Sequence, residues 1–271
     1  TLVRMDSLLP QDKRVAAEVQ SMQEALEKDP LYAPRFQVIG SAAVELDNTG
    51  IDSGESVLGN FAMDIMRGAV KAHAALSSAS SFRASIAPGP IRMEDYLTAL
   101  PYKNKIITLQ MTGQKLQALL EYSGTKRRSD NFAVTAGVHY TLNVTTVSGI
   151  SILSDPLAKE PKYELLQSDR VYTVATTDYL ANVATGYKEL FDQAQSKTDS
   201  GVIFNDAVID FIKTTSPVSA RLDGRVIIIT GAAQSAARGA LSLLPDGWVD
   251  AKALALLMAL AMTGLVCILL G

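Results

Sequence analysis

Cysteine is almost absent from this chain of 271 residues. The single one, Cys267, leaves no internal disulfide, no zinc site built on thiolates and no iron–sulfur cluster. Histidine is nearly as scarce. His73 and His139 are the two, neither has a carboxylate or a second imidazole at ligand spacing, and each is expected to be structural or at the surface. A basic excess is missing as well. Lys and Arg number 25 against 28 Asp and Glu, for a formal net charge of -3, which argues against a nucleic acid polymer as partner. No G-x-S-x-G, H-E-x-x-H or P-loop run is present. Thr1 stands first, as in a processed product or a fragment, and nothing around it supports an amino-terminal nucleophile. What the chain does have is apolar material: 48% hydrophobic against 20% charged residues excludes a disordered chain and allows a packed core.

The apolar material is concentrated at one place. Residues 253–271, ALALLMALAMTGLVCILLG, carry no charge. As a helix they would span roughly 28 Å, close to the hydrocarbon core of a bilayer. Three readings are open: a glycolipid-anchor signal, a membrane-spanning or tail anchor, and a buried core helix. The small residues of 231–239 followed by a spacer to Lys252 suit the first, with Ser235 as the expected attachment residue. Arg238 and Lys252 on the body side suit the second.

Periodicity organises the body. Val15, Val19, Met22 and Leu26 mark one face of a helix over Gln11 to Lys28, stopped by Asp29-Pro30. Phe36 to Leu46 reads as a strand. Ser56 to Leu76 reads as a second helix, with Leu58, Phe61, Ile65, Ala69, Ala72 and Leu76 as its apolar stripe and Asn60, Asp64 and Arg67 as a separate polar face. Strands are predicted over Ser80 to Ile86, Lys105 to Met111, Val138 to Val144, Arg170 to Thr176 and Val226 to Thr230. Helices are predicted over Met93 to Leu100, Thr112 to Tyr122, part of Asp178 to Phe191, and Ala207 to Lys213. Lys126-Arg127-Arg128 falls in a polar loop and reads as a solvated turn. Helices and strands alternate without a regular βαβ period, so the expected fold is α+β, a mixed β-sheet packed with helices, followed by the hydrophobic C-terminal helix.

A ligand site can be assembled from three weak signals. Arg83 follows the small-residue run Ser77-Ser78-Ala79-Ser80-Ser81, where a ligand could approach the backbone and a guanidinium could grip phosphate. Tyr102 follows a proline and Tyr179 follows Asp178 at a strand end; two rings on loops can sandwich a flat heterocycle.

These residues occur in a familiar order. Glu55-Ser56-Val57-Leu58-Gly59-Asn60 with Asp64, Ser81-Phe82-Arg83-Ala84-Ser85-Ile86, Gly89-Pro90-Ile91, Leu100-Pro101-Tyr102-Lys103-Asn104, Met111-Thr112-Gly113, Ala136-Gly137-Val138-His139-Tyr140 and Asp178-Tyr179-Leu180-Ala181-Asn182 together resemble the carboxy-terminal, substrate-binding domain of the 5′-nucleotidase family. The resemblance implies a division of residues 1–34 as an interdomain linker with its helix, 35–230 as the domain, 231–252 as a small and polar spacer, and 253–271 as the hydrophobic tail. It implies a chain that recognises a nucleotide or nucleoside. Hydrolysis of nucleoside 5′-monophosphates would fall to an amino-terminal metallophosphoesterase domain that holds a pair of zinc or manganese ions, with no cofactor in this chain. By motif match Arg83 would contact phosphate, and Tyr102 and Tyr179 would stack on the base where the family usually has Phe. Ser78 stands where the family has Asn, and Thr185 where it has the Asp that binds ribose hydroxyls. A second phosphate-binding Arg expected near Ser53 is replaced by Asp52 and Ser53 themselves. A surface location with the membrane reached through the tail agrees with this resemblance, and Asn143-Val144-Thr145 is a glycosylation sequon. The alternative is a degenerate, non-catalytic binding or scaffold module anchored to a membrane.

Overall fold

The computed structural model describes residues 12–158 and 160–229. The hydrophobic tail at 253–271, the spacer and Ser235 lie outside the described residues. Among the described residues no helix is long and apolar enough to cross a membrane.

Helix α1 (Lys13–Lys28) forms where the periodicity puts it, with the Asp12 carboxylate accepting from the amides of Arg14 and Val15. Its apolar positions do not enter the core: none of its residues is buried. The predicted strand from Phe36 divides into a short helix α2 (Ala33–Phe36) and β1 (Val38–Ala42). Helix α3 (Val57–Ala69) is capped by Ser56, whose hydroxyl accepts from the Gly59 amide. It ends well before the predicted Leu76. Lys71 adopts φ 54°, and Ala74–Ser78 form strand β2 with every residue buried. A strand buried on both faces has no polar alternation, and its Ala-rich sequence continues the helical pattern of α3, which explains the difference. The predicted strand over Ser80 to Ile86 is instead a tight 3-10 turn (Ala79–Ser81) and a loop.

The chain continues through β3 (Gly89–Arg92), α4 (Met93–Ala99), β4 (Lys105–Thr112), α5 (Gly113–Thr125), β5 (Ala133–Ala136), β6 (Val138–Asn143), β7 (Thr146–Leu153) and β8 (Tyr163–Leu165). It closes with β9 (Val171–Thr177), α6 (Asp178–Asn182), α7 (Tyr187–Phe191), β10 (Ser196–Ile203), α8 (Phe204–Thr215) and β11 (Val226–Ile229). The central sheet has five strands in the order β10-β4-β9-β2-β5; a second of four runs β11-β6-β7-β8, and β1 pairs with β3. Only β2–β9 and β11–β6 are parallel among these pairings. The fold is thus α+β with mixed sheets, as expected.

The central sheet separates two cores, and residue alternation assigns each side. Ala75, Ile106 and Ala175 face α3, α4 and α8; Ala74, Leu76, Ile107 and Val174 face α5, the α6–α7 pair and the second sheet. The chain passes between the two sheets at Gly137, in the left-handed region with φ 73°. A Cβ there would lie 2.1 Å from the His73 carbonyl oxygen, so only glycine fits.

One buried cation ties these layers together. The Arg225 residue is 5% exposed. Its Nε donates to Asp223 Oδ1 (2.9 Å), Nη1 to Asp64 Oδ1 (3.2 Å) and the Thr135 carbonyl (3.0 Å), and Nη2 to Asp64 Oδ2 (3.0 Å) and Asp223 Oδ2 (2.6 Å). All the N–H donors of the guanidinium are used. Burial works against its charge, but the hydrogen bonds and charges of Asp223 and Asp64 outweigh burial and hold the guanidinium protonated well above its usual range. Asn60, predicted on the polar face of α3, is buried and donates to Glu55 Oε2 and the Arg221 carbonyl. Replacing Arg225 with Met should leave the carboxylates unpaired at the centre of this network and lower the unfolding free energy by about 2–4 kcal/mol in urea titrations.

His73 has the structural role expected of it. Its Nδ1 accepts from the Thr173 amide (3.1 Å) while its own amide donates to the Thr173 carbonyl (2.9 Å), and the ring packs edge-on against Tyr172. Burial first, and then the charge of Arg170, lower its pKa below the ordinary 6.5. The unfolded chain therefore takes up a proton near pH 6.5 that the folded chain refuses, so stability falls as pH drops below that value. His73→Asn, which keeps an acceptor at the same place, should flatten the stability difference between about pH 7.5 and about pH 5 seen in urea titrations.

Candidate functional site

The strand directions of the central sheet gather the candidate residues. β2 and β9 run parallel, with Leu76 opposite Thr176; β4 runs against β9, with Ile106 opposite Thr177; β5 runs against β2, with Ala133 opposite Ser78. The carboxyl ends of β2 and β9 and the amino ends of β4 and β5 therefore share one edge of the sheet. From that edge emerge the loop bearing Arg83, the loop bearing Tyr102, the turn before β5, and helix α6 bearing Tyr179.

Each loop is held by its own backbone bonds. The Arg83 amide donates to the Ala99 carbonyl (2.8 Å), joining the Arg83 loop to the end of α4 just before Tyr102. The Asn104 amide donates to the Tyr102 carbonyl (3.0 Å) and the Phe204 amide to the Asn104 carbonyl (2.9 Å), which fixes the Pro101–Asn104 turn on α8. Asn48 Nδ2 donates to the Phe82 carbonyl (3.2 Å) and the Asn48 amide to Ser85 Oγ (2.9 Å). On the other side, Thr177 Oγ1 caps α6 by accepting from the Leu180 amide (3.2 Å), and Tyr179 follows in the first turn. Tyr102 is 50% and Tyr179 46% exposed, a high value for rings of this size. Arg83 is exposed, and its guanidinium makes no hydrogen bond or ion pair with any described residue. A free cation and two half-bare rings are thus carried by segments that leave one edge of the sheet; a guanidinium can pair with an anion and an aromatic ring can stack on a flat group.

The other two candidates sit differently. Ser78 is buried at 1% exposure and its hydroxyl is 2.7 Å from that of Ser80 in the same small-residue run, so Ser80 is the nearer of the two to solvent. Thr185 is exposed in the loop between α6 and α7, where its carbonyl accepts from the Tyr122 hydroxyl (3.2 Å). The next residue, Gly186, has φ 88° and would place a Cβ 1.8 Å from that hydroxyl, so this loop turns tightly over the Tyr122 ring. Asn143 is the last residue of β6, paired with Thr146 across a short hairpin turn in which Val144 is exposed.

A cavity of about 750 Å³ lies elsewhere, between α3, α8 and residues 219–225, with Phe61, Phe211, Asp64, Asp223 and Arg225 among its lining. Within it Arg225 already engages Asp64 and Asp223, while Arg221 and Asp210 also line it. The sheet edge is the place where the residues singled out by the sequence lie. Among the described residues no group of three or more His, Cys, Asp and Glu side chains is arranged to hold a metal ion.

Comparison with known proteins agrees with this architecture. The family model described as the C-terminal domain of 5'-nucleotidase matches residues 38–193, and the chain belongs to that family. The 5'-nucleotidase-related protein of Glossina morsitans morsitans is 26% identical over 247 residues, which cover 84% of this chain and 43% of that protein. The NAD 5'-nucleotidase of Haemophilus influenzae is 26% identical over 232 residues, covering 80% of this chain and 37% of that protein. Among solved structures, the 5'-nucleotidase precursor from Thermus thermophilus superposes with a TM-score of 0.65 at 24% identity, over 80% of this chain and 43% of that one, which establishes the shared fold. The chain spans less than half the length of these relatives.

The Thr177 cap on α6 and the bond from the Tyr179 amide to Asp178 Oδ1 (2.9 Å) both hold the first turn that bears Tyr179. Thr177→Val keeps the buried shape and removes the acceptor. It should cost about 1 kcal/mol in urea titrations and speed hydrogen exchange at the Leu180 amide.

Proposed function

We propose that this chain is the substrate-recognition part of a 5′-nucleotidase that releases phosphate from nucleoside 5′-monophosphates. The observation that supports the reading is that the segments bearing Arg83, Tyr102 and Tyr179 leave the same edge of the central sheet, with the Arg83 guanidinium unpaired and both rings about half exposed. Arg83 presents parallel N–H donors that match two phosphate oxygens. The tyrosines offer apolar faces between which a base can lie, and their separate anchoring, one before β4 and one after β9, keeps them apart for it. Thr185, on the loop beyond Tyr179, offers a hydroxyl to the ribose.

Hydrolysis belongs to a domain beyond this sequence. A pair of zinc or manganese ions there would supply an activated water and polarise the phosphoryl group. In this reading the role of this chain is to bind and orient the nucleotide. The uncharged run at 253–271, with glycolipid attachment at Ser235 or with the run itself in the bilayer, would hold the enzyme at the cell surface, and glycosylation at Asn143 fits a hairpin turn facing solvent.

A second reading, a binding or scaffold module that has lost catalytic use, draws on two observations: Ser78 is withdrawn into the core, and Thr185 is a weaker partner for ribose than a carboxylate. Titration calorimetry on the chain separates the two. With the nucleotidase reading, AMP binds, and Tyr102→Ala and Tyr179→Ala each weaken it by about tenfold or more, in line with the loss of one stacked ring. Absence of AMP binding both in the chain and after joining it to a metal-loaded metallophosphoesterase domain favours the scaffold.

A further inference from the structure

We infer that the basic turn after α5, above all Arg128, forms the second cationic wall of the anion site that Arg83 opens; this rests on the reading of Arg83 given above. The sequence presents Lys126-Arg127-Arg128 as an ordinary solvated turn. The fold gives it a specific position. The Ser80 amide donates to the Asp130 carbonyl (2.8 Å) and the Ala79 amide to the Phe132 carbonyl (2.8 Å), so the segment leading into β5 lies directly against the small-residue turn that precedes Arg83. The Arg128 amide donates to the Asp52 carbonyl (2.6 Å) and Arg127 Nε to the Ser53 carbonyl (2.8 Å), so the turn is also clamped to the loop before α3. That loop is in turn bonded to the Arg83 segment through Asn48 and the Phe82 carbonyl. Three loops therefore form a closed ring of hydrogen bonds with basic residues on two of them.

The same turn reaches the side of the site that carries Tyr179. Lys126 Nζ lies 4.9 Å from the centre of the Tyr122 ring, and Tyr122 in turn bonds the Thr185 carbonyl. The Tyr187 hydroxyl donates to the Asn131 carbonyl (2.8 Å).

Within the three bonded loops the state of the guanidinium groups decides which residue matters. Arg127 is engaged by the Ser53 carbonyl. Arg128, like Arg83, is exposed, and its guanidinium makes no hydrogen bond or ion pair with any described residue. Asp52, the nearest acid in the bonded loop, accepts from the Ser53 hydroxyl (2.7 Å). Arg128 is moreover held at φ 67°, a conformation that Asn or Gly adopts more readily, by its bond to Asp52. Two unpaired guanidinium groups on adjoining loops match a phosphate dianion, and they make the phosphate, not the nucleoside alone, the group that this end of the sheet selects.

The test uses the 271-residue chain, with AMP, adenosine and inorganic phosphate as ligands in titration calorimetry and ³¹P line broadening. Arg128→Asn, which tolerates the backbone conformation, should weaken AMP and phosphate by about tenfold, with the loss confined to ligands that carry phosphate, and Arg128→Lys should recover part of it. Arg14→Asn on α1 should change neither. Circular dichroism melting reports whether Arg128→Asn is folded, and Arg128→Gly takes its place if it is not. If AMP and phosphate bind these variants as they bind the parent, while Arg83→Gln loses them, the turn is no part of the site and the nucleotide reading stands without it. If phosphate binding depends on Arg128 but AMP binds no better than phosphate, the anion site stands and nucleoside recognition fails. If the parent chain binds none of the three, both are overturned.

Discussion

The Arg225 guanidinium is the fixed point of this structure. A buried cation has no tolerance for a missing partner, so wherever it sits, its acceptors must be brought to it. Here those acceptors come from α3, from β5 of the central sheet and from the loop that delivers β11 to the second sheet. Glu55 extends the arrangement: its carboxylate accepts from the Asp223 and Val226 amides and from Asn60. Residues far apart in sequence thereby hold the loop before α3 in place. That loop bonds to Arg127 and Arg128 at its far end. The route from a core ion pair to the edge of the candidate site runs through these hydrogen bonds and the backbone of residues 52–55.

The sheet edge illustrates a general use of mixed strand direction. Parallel β2 and β9 alone would bring two loops together; antiparallel β4 and β5 add two more from segments that precede their strands. Every loop at the site is thus bordered by a ladder whose register cannot slip without turning apolar side chains out of a core. The loops can change sequence while the spacing between their roots stays constant.

How far the sequence foretold this depends on the burial of each element. α5, β4, β6 and β9 each have one clear periodicity, and each lies close to where the pattern puts it. β2 is buried on both faces, so its pattern is indistinguishable from that of the helix before it. β10, whose sequence SKTDSGVI is mostly polar, lies at the edge of the sheet and shows no apolar alternation. At the candidate site, Arg83, Tyr102 and Tyr179 are singled out because turn residues and a family-like order mark their loops. The position of Arg128 is not. It follows from the pairing of β5 with β2, a contact between distant segments that no local pattern encodes. Ser78 shows the converse: its neighbours suggest openness, and only the strand register reveals that it points into the core.

Helix α1 bears on how this molecule would behave by itself. Val15, Val19, Met22 and Leu26 line one side of it and remain between 43% and 59% exposed. The helix is tied to the body chiefly through α2 and the Arg92–Glu27 ion pair at its last turn. A helix of 16 residues with no buried side chain is near the lower limit for one that persists in water. Handled apart from whatever covers that stripe, the segment should open and close independently of the folded body. A protease would then cut within residues 13–28 ahead of the two packed cores and leave a body that retains all three sheets.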